Sequence, residues 1–116
     1  MSSSFRDLQV WQRAIQASVA VYRLTESFPK EEMYGLTSQL RRAGVSVASN
    51  IAEGYGRGTR GEYKQFLAIA RGSILEVQTQ IIIATELGFG DPEALKATMR
   101  LSEEVSKMLY ALLRKL

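Results

Sequence analysis

The chain has 116 residues, 46% of them apolar, a formal charge of +3 and neither cysteine nor histidine. A chain of this length folds as one domain that buries roughly two thirds of its extended surface. The missing cysteines exclude a disulfide framework and a thiolate metal centre, and the missing histidines exclude the Glu-x-x-His di-iron site of helical bundles and any His-assisted nucleophile.

The opening MSSSFRDLQVW has neither a basic start nor an apolar centre, which argues against a secretory leader and gives a cytoplasmic expectation. No unbroken apolar run approaches the roughly 20 residues of a membrane span, so no membrane partner is expected. Charge is unevenly spread. Residues 41–71 hold six basic side chains against two acidic ones, whereas residues 1–40 balance and residues 72–116 carry one excess acid. A basic middle permits an anionic partner, nucleic acid included.

Apolar periodicity predicts an all-α chain with helices over 5–27, 34–53, 60–87 and 92–114. In the first, Ser4 and Asp7 form a weak capping box. Leu8, Trp11, Ile15, Val19 and Tyr22 supply the stripe, with Val10, Ala14, Ala17, Val21 and Leu24 widening it. Ser27-Phe28-Pro29 stops the helix, because the residue before proline leaves the α region. The second helix turns Leu36, Leu40, Ala43, Val47 and Ile51 inward, with Gly44 and Ala48 thinning the adjoining face. Alternation at 45–49 would suit a strand, but LTSQLRR before it and NIAEG after it continue the helix. Gly54, Gly56 and Gly58 are read as its end.

Thr59 and Glu62 make the clearest helix start in the chain, a T-x-x-E capping box. The third helix then reaches Leu87, with Gly88 closing it after about 40 Å. Its apolar residues nearly encircle it, and Ile81, Ile82 and Ile83 alone cover about 200° at 100° per residue, more than one core requires. Asp91-Pro92 opens the fourth helix, whose inner stripe is Leu95, Met99, Leu101, Val105, Met108 and Leu112. Short joints between four helices give an up-down-up-down four-helix bundle. The surplus apolar arcs of the first and third helices predict self-association.

Chemistry concentrates in Gln39–Gly58, QLRRAGVSVASNIAEGYGRG. Glu53, Glu62 and Glu76 offer oxygen ligands but no EF-hand pattern, so neither a metal nor a cofactor is expected. With no histidine or cysteine to activate a nucleophile, and with Glu53 and Glu76 on different helices, the residues point away from an enzyme. The glycine loop Gly54–Gly58 lacks a Walker lysine. It is either a solvated turn or an anion site built from Arg57, Arg60 and the free N–H groups opening the third helix.

Arg41 and Arg42 are adjacent and diverge by about 100°, so one is expected to face solvent and the other to pair with Glu53 or Glu76, inside the bundle or across a subunit boundary. Asn50 and Glu53 share a helical face. With Gln39, Ser46, Glu62 and Glu76 they read as a structural polar network, Asn50 and Glu53 buried and supported by an arginine or by a polar residue of the third helix, or else as a partner site. Trp11, Tyr22 and Phe66 fall in register with core residues, whereas Tyr55 in the glycine loop reads as exposed.

The run GLTSQLRRAGVSVASNIAEGYGRGTRGEYKQFLAIARGSILEVQTQI, with FRDLQVWQRAIQASVAVYRLTESFP before it, resembles a bacterial family of small four-helix proteins. Their reading frames lie in intervening sequences of 23S ribosomal RNA genes. The resemblance covers roughly residues 5–90 and implies a left-handed up-down bundle assembled as a ring-shaped homopentamer. It also implies an architecture similar to the accessory protein of diversity-generating retroelements, which associates with a reverse transcriptase and nucleic acid. The family's recurring positions fall on Gln39, Arg41, Arg42, Ser46, Asn50, Glu53, Gly54, Glu62, Gly72 and Glu76. This chain departs at Ala48, where proline is usual, and at Gly44, where alanine is usual.

The resulting expectation is a non-enzymatic oligomeric scaffold or nucleic-acid-associated protein. Its RNA- or DNA-binding surface would comprise Arg42, Arg57, Arg60, Lys64 and Arg41. A ring that binds another protein and touches no nucleic acid is the alternative.

Overall fold

The computed structural model describes residues 4–116, so Met1–Ser3, part of the segment read against a leader, lie outside it. The helices are α1, Gln9–Thr25; α2, Leu36–Gly56; α3, Arg60–Leu87; and α4, Pro92–Lys115. Each packs on its neighbours in sequence and α4 closes back on α1, while the backbones of the diagonal pairs α1–α3 and α2–α4 stay more than 8 Å apart, Cα to Cα. This cyclic order is that of an all-α, up-down four-helix bundle. The molecule measures 42 × 24 × 20 Å, and α3 spans its whole length.

Side-chain contacts move several helix ends from their predicted places. Ser4 Oγ does accept a backbone N–H, from Arg6 at 3.2 Å, but it caps only a 3-10 turn at Phe5–Asp7. Leu8 is extended, with ψ 122°, and α1 starts after it. Phe5 folds back edge-on to Trp11 at 5.2 Å, and Gln12 Nε2 donates to the Arg6 carbonyl at 2.8 Å, which holds the turn apart from the helix. At the start of α2 the Glu32 carboxylate accepts the Leu36 N–H at 3.0 Å. This helix runs three residues past Glu53, taking Gly54 and Gly56 into its last turn. Thr59 accepts from the Glu62 N–H at 3.2 Å, and Asp91 from the Ala94 N–H at 3.0 Å. Gly88, at φ 75°, closes α3 in the left-handed conformation that glycine adopts without steric cost.

The core of α1 reverses the predicted emphasis. Val10, Ala14, Ala17, Val21 and Leu24 are buried, whereas Ile15, Val19 and Tyr22 are 38–44% exposed. Small residues face inward because α2 comes close here. A Cβ added to Gly44 would lie 3.6 Å from the Ser18 Cα, already in van der Waals contact. The larger side chains are left on the outside. Tyr22 is therefore not a core residue, and Trp11 and Phe66 are half-buried at the core's edge.

In α3, Leu67, Ala70, Ile74, Val77, Ile81 and Ala84 fill the bundle. Ile69, Leu75, Ile82 and Ile83 point outward, Ile82 with 54% of its surface exposed. Although no unbroken run of 20 apolar residues exists, α3 is long and apolar enough to cross a membrane by length and composition, with a mean hydropathy of 1.3 over 18 residues. Part of that hydropathy is bundle core, and the remainder is an uncovered outer stripe. The two apolar faces left open therefore belong to α1 and α3, helices on opposite corners of the bundle.

Candidate functional site

The α2–α3 turn is a charged clasp. Arg57 pairs with Glu53 at 3.0 Å and with Glu62 at 3.9 Å, and its guanidinium lies 5.0 Å from the centre of the Phe66 ring. Helical spacing sets the first pair, since residues four apart share a face. The capping box sets the second, because the Thr59 hydroxyl also donates to a Glu62 carboxylate oxygen at 3.0 Å. Tyr55 is half-buried, edge-on to Tyr63 at 6.0 Å, so it is not the exposed loop aromatic expected from sequence. Burial first, and Tyr55 second, raise the Tyr63 phenol above its ordinary pKa of 10.0.

Glu53 consequently departs from its expected buried role. Its side chain is 55% exposed and its partner is the adjacent-turn arginine, not a residue across the core. Asn50 is half-buried and turns elsewhere, donating to the Ser46 carbonyl at 2.8 Å and to Ser46 Oγ at 2.9 Å. Replacing Glu53 by alanine should change the urea unfolding free energy by no more than about 0.5 kcal/mol, the scale of an exposed helical pair. A loss several times larger would show a network that this geometry lacks.

Above the clasp, α2 and α3 enclose a polar groove. Ser46 Oγ and Ser73 Oγ meet at 2.9 Å across its floor, and Gln80 Nε2 donates to Gln39 Oε1 at 3.4 Å. Gln39, Ser46 and Asn50 thus join a polar seam with Ser73 and Gln80, while Glu53 and Glu62 belong to the separate Arg57 clasp. Arg42 and Glu76 line opposite walls, and neither makes an ion pair with a described residue. Tyr34, 95% exposed, stands at the groove's edge. Sequence reasoning did not single out Tyr34, Ser73 or Gln80. Ser73 and Gln80 carried a signal, as polar residues interrupting the apolar face of the third helix.

Arg41 neither faces solvent fully nor meets Glu53 or Glu76. Its Nε donates to Thr25 Oγ1 at 2.8 Å, and its guanidinium lies over the Tyr22 ring at 4.6 Å, tying α2 to α1. Arg60 and Lys64, one turn apart on α3, are exposed and have no ion pair among the described residues. The five basic candidates therefore occupy three places. Arg57, Arg60 and Lys64 lie around the turn, Arg42 on the groove wall and Arg41 on the α1 side. No group of three or more acidic residues that could hold a metal ion exists among the described residues. Glu53 is committed to Arg57, and the chain contains neither histidine nor cysteine.

Comparison with known proteins agrees with this architecture. A crystal structure of a Bacteroides thetaiotaomicron protein of unknown function, from the S23 ribosomal protein family, superposes with a TM-score of 0.80 over 90% of this chain and 97% of that one. Sequence identity is 19%, so this likeness establishes the fold alone. No curated protein matches in sequence. The family profile described as 23S rRNA-intervening sequence protein matches residues 6–111. This chain belongs to that family.

Proposed function

We propose that the protein is a non-enzymatic, self-associating scaffold that presents a basic edge to nucleic acid. The observation that carries this reading is the pair of uncovered apolar faces, Ile15, Val19 and Tyr22 on α1 and Leu75, Ile82 and Ile83 on α3. Exposed apolar stripes of this kind favour coverage by a partner. A second copy is the occupant this reading assigns, because the two faces sit on helices at opposite corners of the bundle. Contact between unlike faces is head-to-tail, which gives a ring where the rotation between copies closes, and the family resemblance implies a ring of five subunits. A lipid occupant is disfavoured by Glu76 and Glu86, both exposed on α3.

Assembly gives a small charge excess its weight. Each copy adds the surplus of four positive charges in residues 41–71, and linked weak contacts gain avidity without new chemistry. Arg60 and Lys64 are uncommitted cations available for phosphate, and Arg57 lies beside them. The implied similarity to the retroelement accessory protein supports the same direction.

Duplex DNA and structured RNA should bind weakly and with little sequence preference. Affinity should fall at least tenfold between about 50 and 200 mM salt. Arg57→Ala/Arg60→Ala/Lys64→Ala should weaken binding at the lower salt and flatten that dependence. Absence of binding at the lower salt, or an unchanged triple variant, would remove the nucleic-acid reading. The adaptor ring for another protein would then remain.

A further inference from the structure

The packing of α4 on α3 gathers three cations beside one aromatic ring. The Arg71 guanidinium lies 5.3 Å from the centre of the Tyr110 ring, and that of Arg114, one turn further along α4, lies 5.7 Å from the same centre. Lys107 lines a small recess between the helices together with Arg71, Ser106 and Tyr110. Gln78, two turns beyond Arg71, pins the helices here, its Nε2 donating at 3.3 Å to the Ser102 carbonyl and to Ser106 Oγ. None of the three cations has an ion pair among the described residues. Glu103, one turn before Lys107 on the same face, also stays beyond pairing distance. The negative pole of α4 accounts for Arg114, but Arg71 stands in the interior of α3, where no pole acts. Like charges held together without a counter-ion repel, and an anion seated among them relieves that repulsion.

We propose that Arg71, Lys107 and Arg114 form a binding site for a phosphate group, with Tyr110 as the residue that positions the two guanidinia. The recess, about 260 Å³, is smaller than the roughly 300–1,000 Å³ of sites that enclose a whole small molecule, so it suits a single charged group. Phosphate fits the donor set better than carboxylate does. One guanidinium can satisfy both oxygens of a carboxylate, whereas a phosphate has further oxygens to accept from a second arginine and a lysine. The phosphate has two possible sources, a nucleic-acid backbone or a free phosphate-bearing molecule. Lys64 stands two turns before Arg71, about 10 Å along the same face of α3, so a strand on the Arg57–Lys64 edge can reach the recess. The inference rests on the nucleic-acid reading for the first source only, and its residues lie outside that edge.

NMR titration of the isotope-labelled full chain at low salt tests it, with inorganic phosphate, acetate and a short DNA duplex as the probes. Phosphate should shift the signals of Arg71, Lys107 and Tyr110 saturably, and bind at least about fivefold more tightly than acetate. Arg71→Gln/Arg114→Gln should weaken phosphate at least about tenfold. Arg23→Gln/Arg100→Gln removes the same charge from exposed positions elsewhere and should weaken it less than about twofold. Tyr110→Leu should weaken phosphate severalfold without any change of charge, and Tyr110→Phe, which keeps the ring, should not. Duplex-induced shifts at Arg71 that the Arg71→Gln/Arg114→Gln variant loses identify a nucleic-acid backbone as the source. Phosphate binding with no duplex response there identifies a free phosphate-bearing molecule. The Arg57→Ala/Arg60→Ala/Lys64→Ala variant should still bind inorganic phosphate, so failure of the basic edge and failure of the recess are told apart. No saturable phosphate binding at these residues, equal affinity for acetate, equal losses in the two double variants, or an unchanged Tyr110→Leu overturns the proposal.

Discussion

Replacing Leu109 by alanine is expected to lower the unfolding free energy by about 2–5 kcal/mol, measured in urea at fixed protein concentration. Leu109 is fully buried and belongs to the inward row Leu95, Thr98, Ser102, Val105 and Leu109 of α4. Helical steps of three and four keep that row facing the core, against α1 on one side and α3 on the other. Truncation removes the buried apolar surface and leaves a void that close-packed neighbours refill only in part. Ala111, two residues further on, is exposed, so Ala111→Ser should stay within about 0.5 kcal/mol. Equal effects at the two sites would contradict the assigned inner face of α4.

Gly54→Ala and Gly44→Ala should move stability in opposite directions. Alanine is favoured over glycine in a helix by up to about 1 kcal/mol, and both sites are helical. At Gly54, however, the new Cβ would stand 2.6 Å from the Phe66 Cβ and 3.4 Å from Tyr63 Cδ1. The Phe66 Cβ is fixed to its backbone, so α2 and α3 must separate, and overpacking of this kind outweighs the propensity gain to leave a net loss of about 1–2 kcal/mol. At Gly44 the added methyl would meet Ser18 at an ordinary 3.6 Å, which leaves the propensity gain intact. Two urea curves decide the point, and a stabilised Gly54→Ala would mean that the helices are not in close contact there.

Gly54 also shows what sequence can and cannot reveal. Its position among Gly56 and Gly58 suggested a helix end, yet it is needed one turn earlier, where a neighbouring helix leaves no room for a side chain. The helix count, the Thr59 and Asp91 caps and the Gly88 stop were legible because each depends on residues within one turn. Which stripe of α1 faces inward was not, because Ile15, Val19 and Tyr22 are more apolar than the alanines that the α2 approach admits. The polar site divides in the same way. Gln39, Ser46 and Asn50 stood out as polar residues beside a small-residue face, but their partners Ser73 and Gln80 lie 27 and 41 positions from Ser46 and Gln39. Arg57 was visible as a loop cation, whereas its neutralisation by both Glu53 and Glu62 required the turn to place all three together.

In the proposed function, the outward stripes of α1 and α3 are the basis for assembly, and assembly is the basis for scaffold avidity. Sedimentation equilibrium at micromolar concentration measures this directly. The account predicts a particle several times the 13.0 kDa chain mass. Ile82→Glu, at an exposed site, should reduce that particle to monomers or short open oligomers while the helical signal is retained. A 13.0 kDa monomer for the unaltered chain would contradict the account.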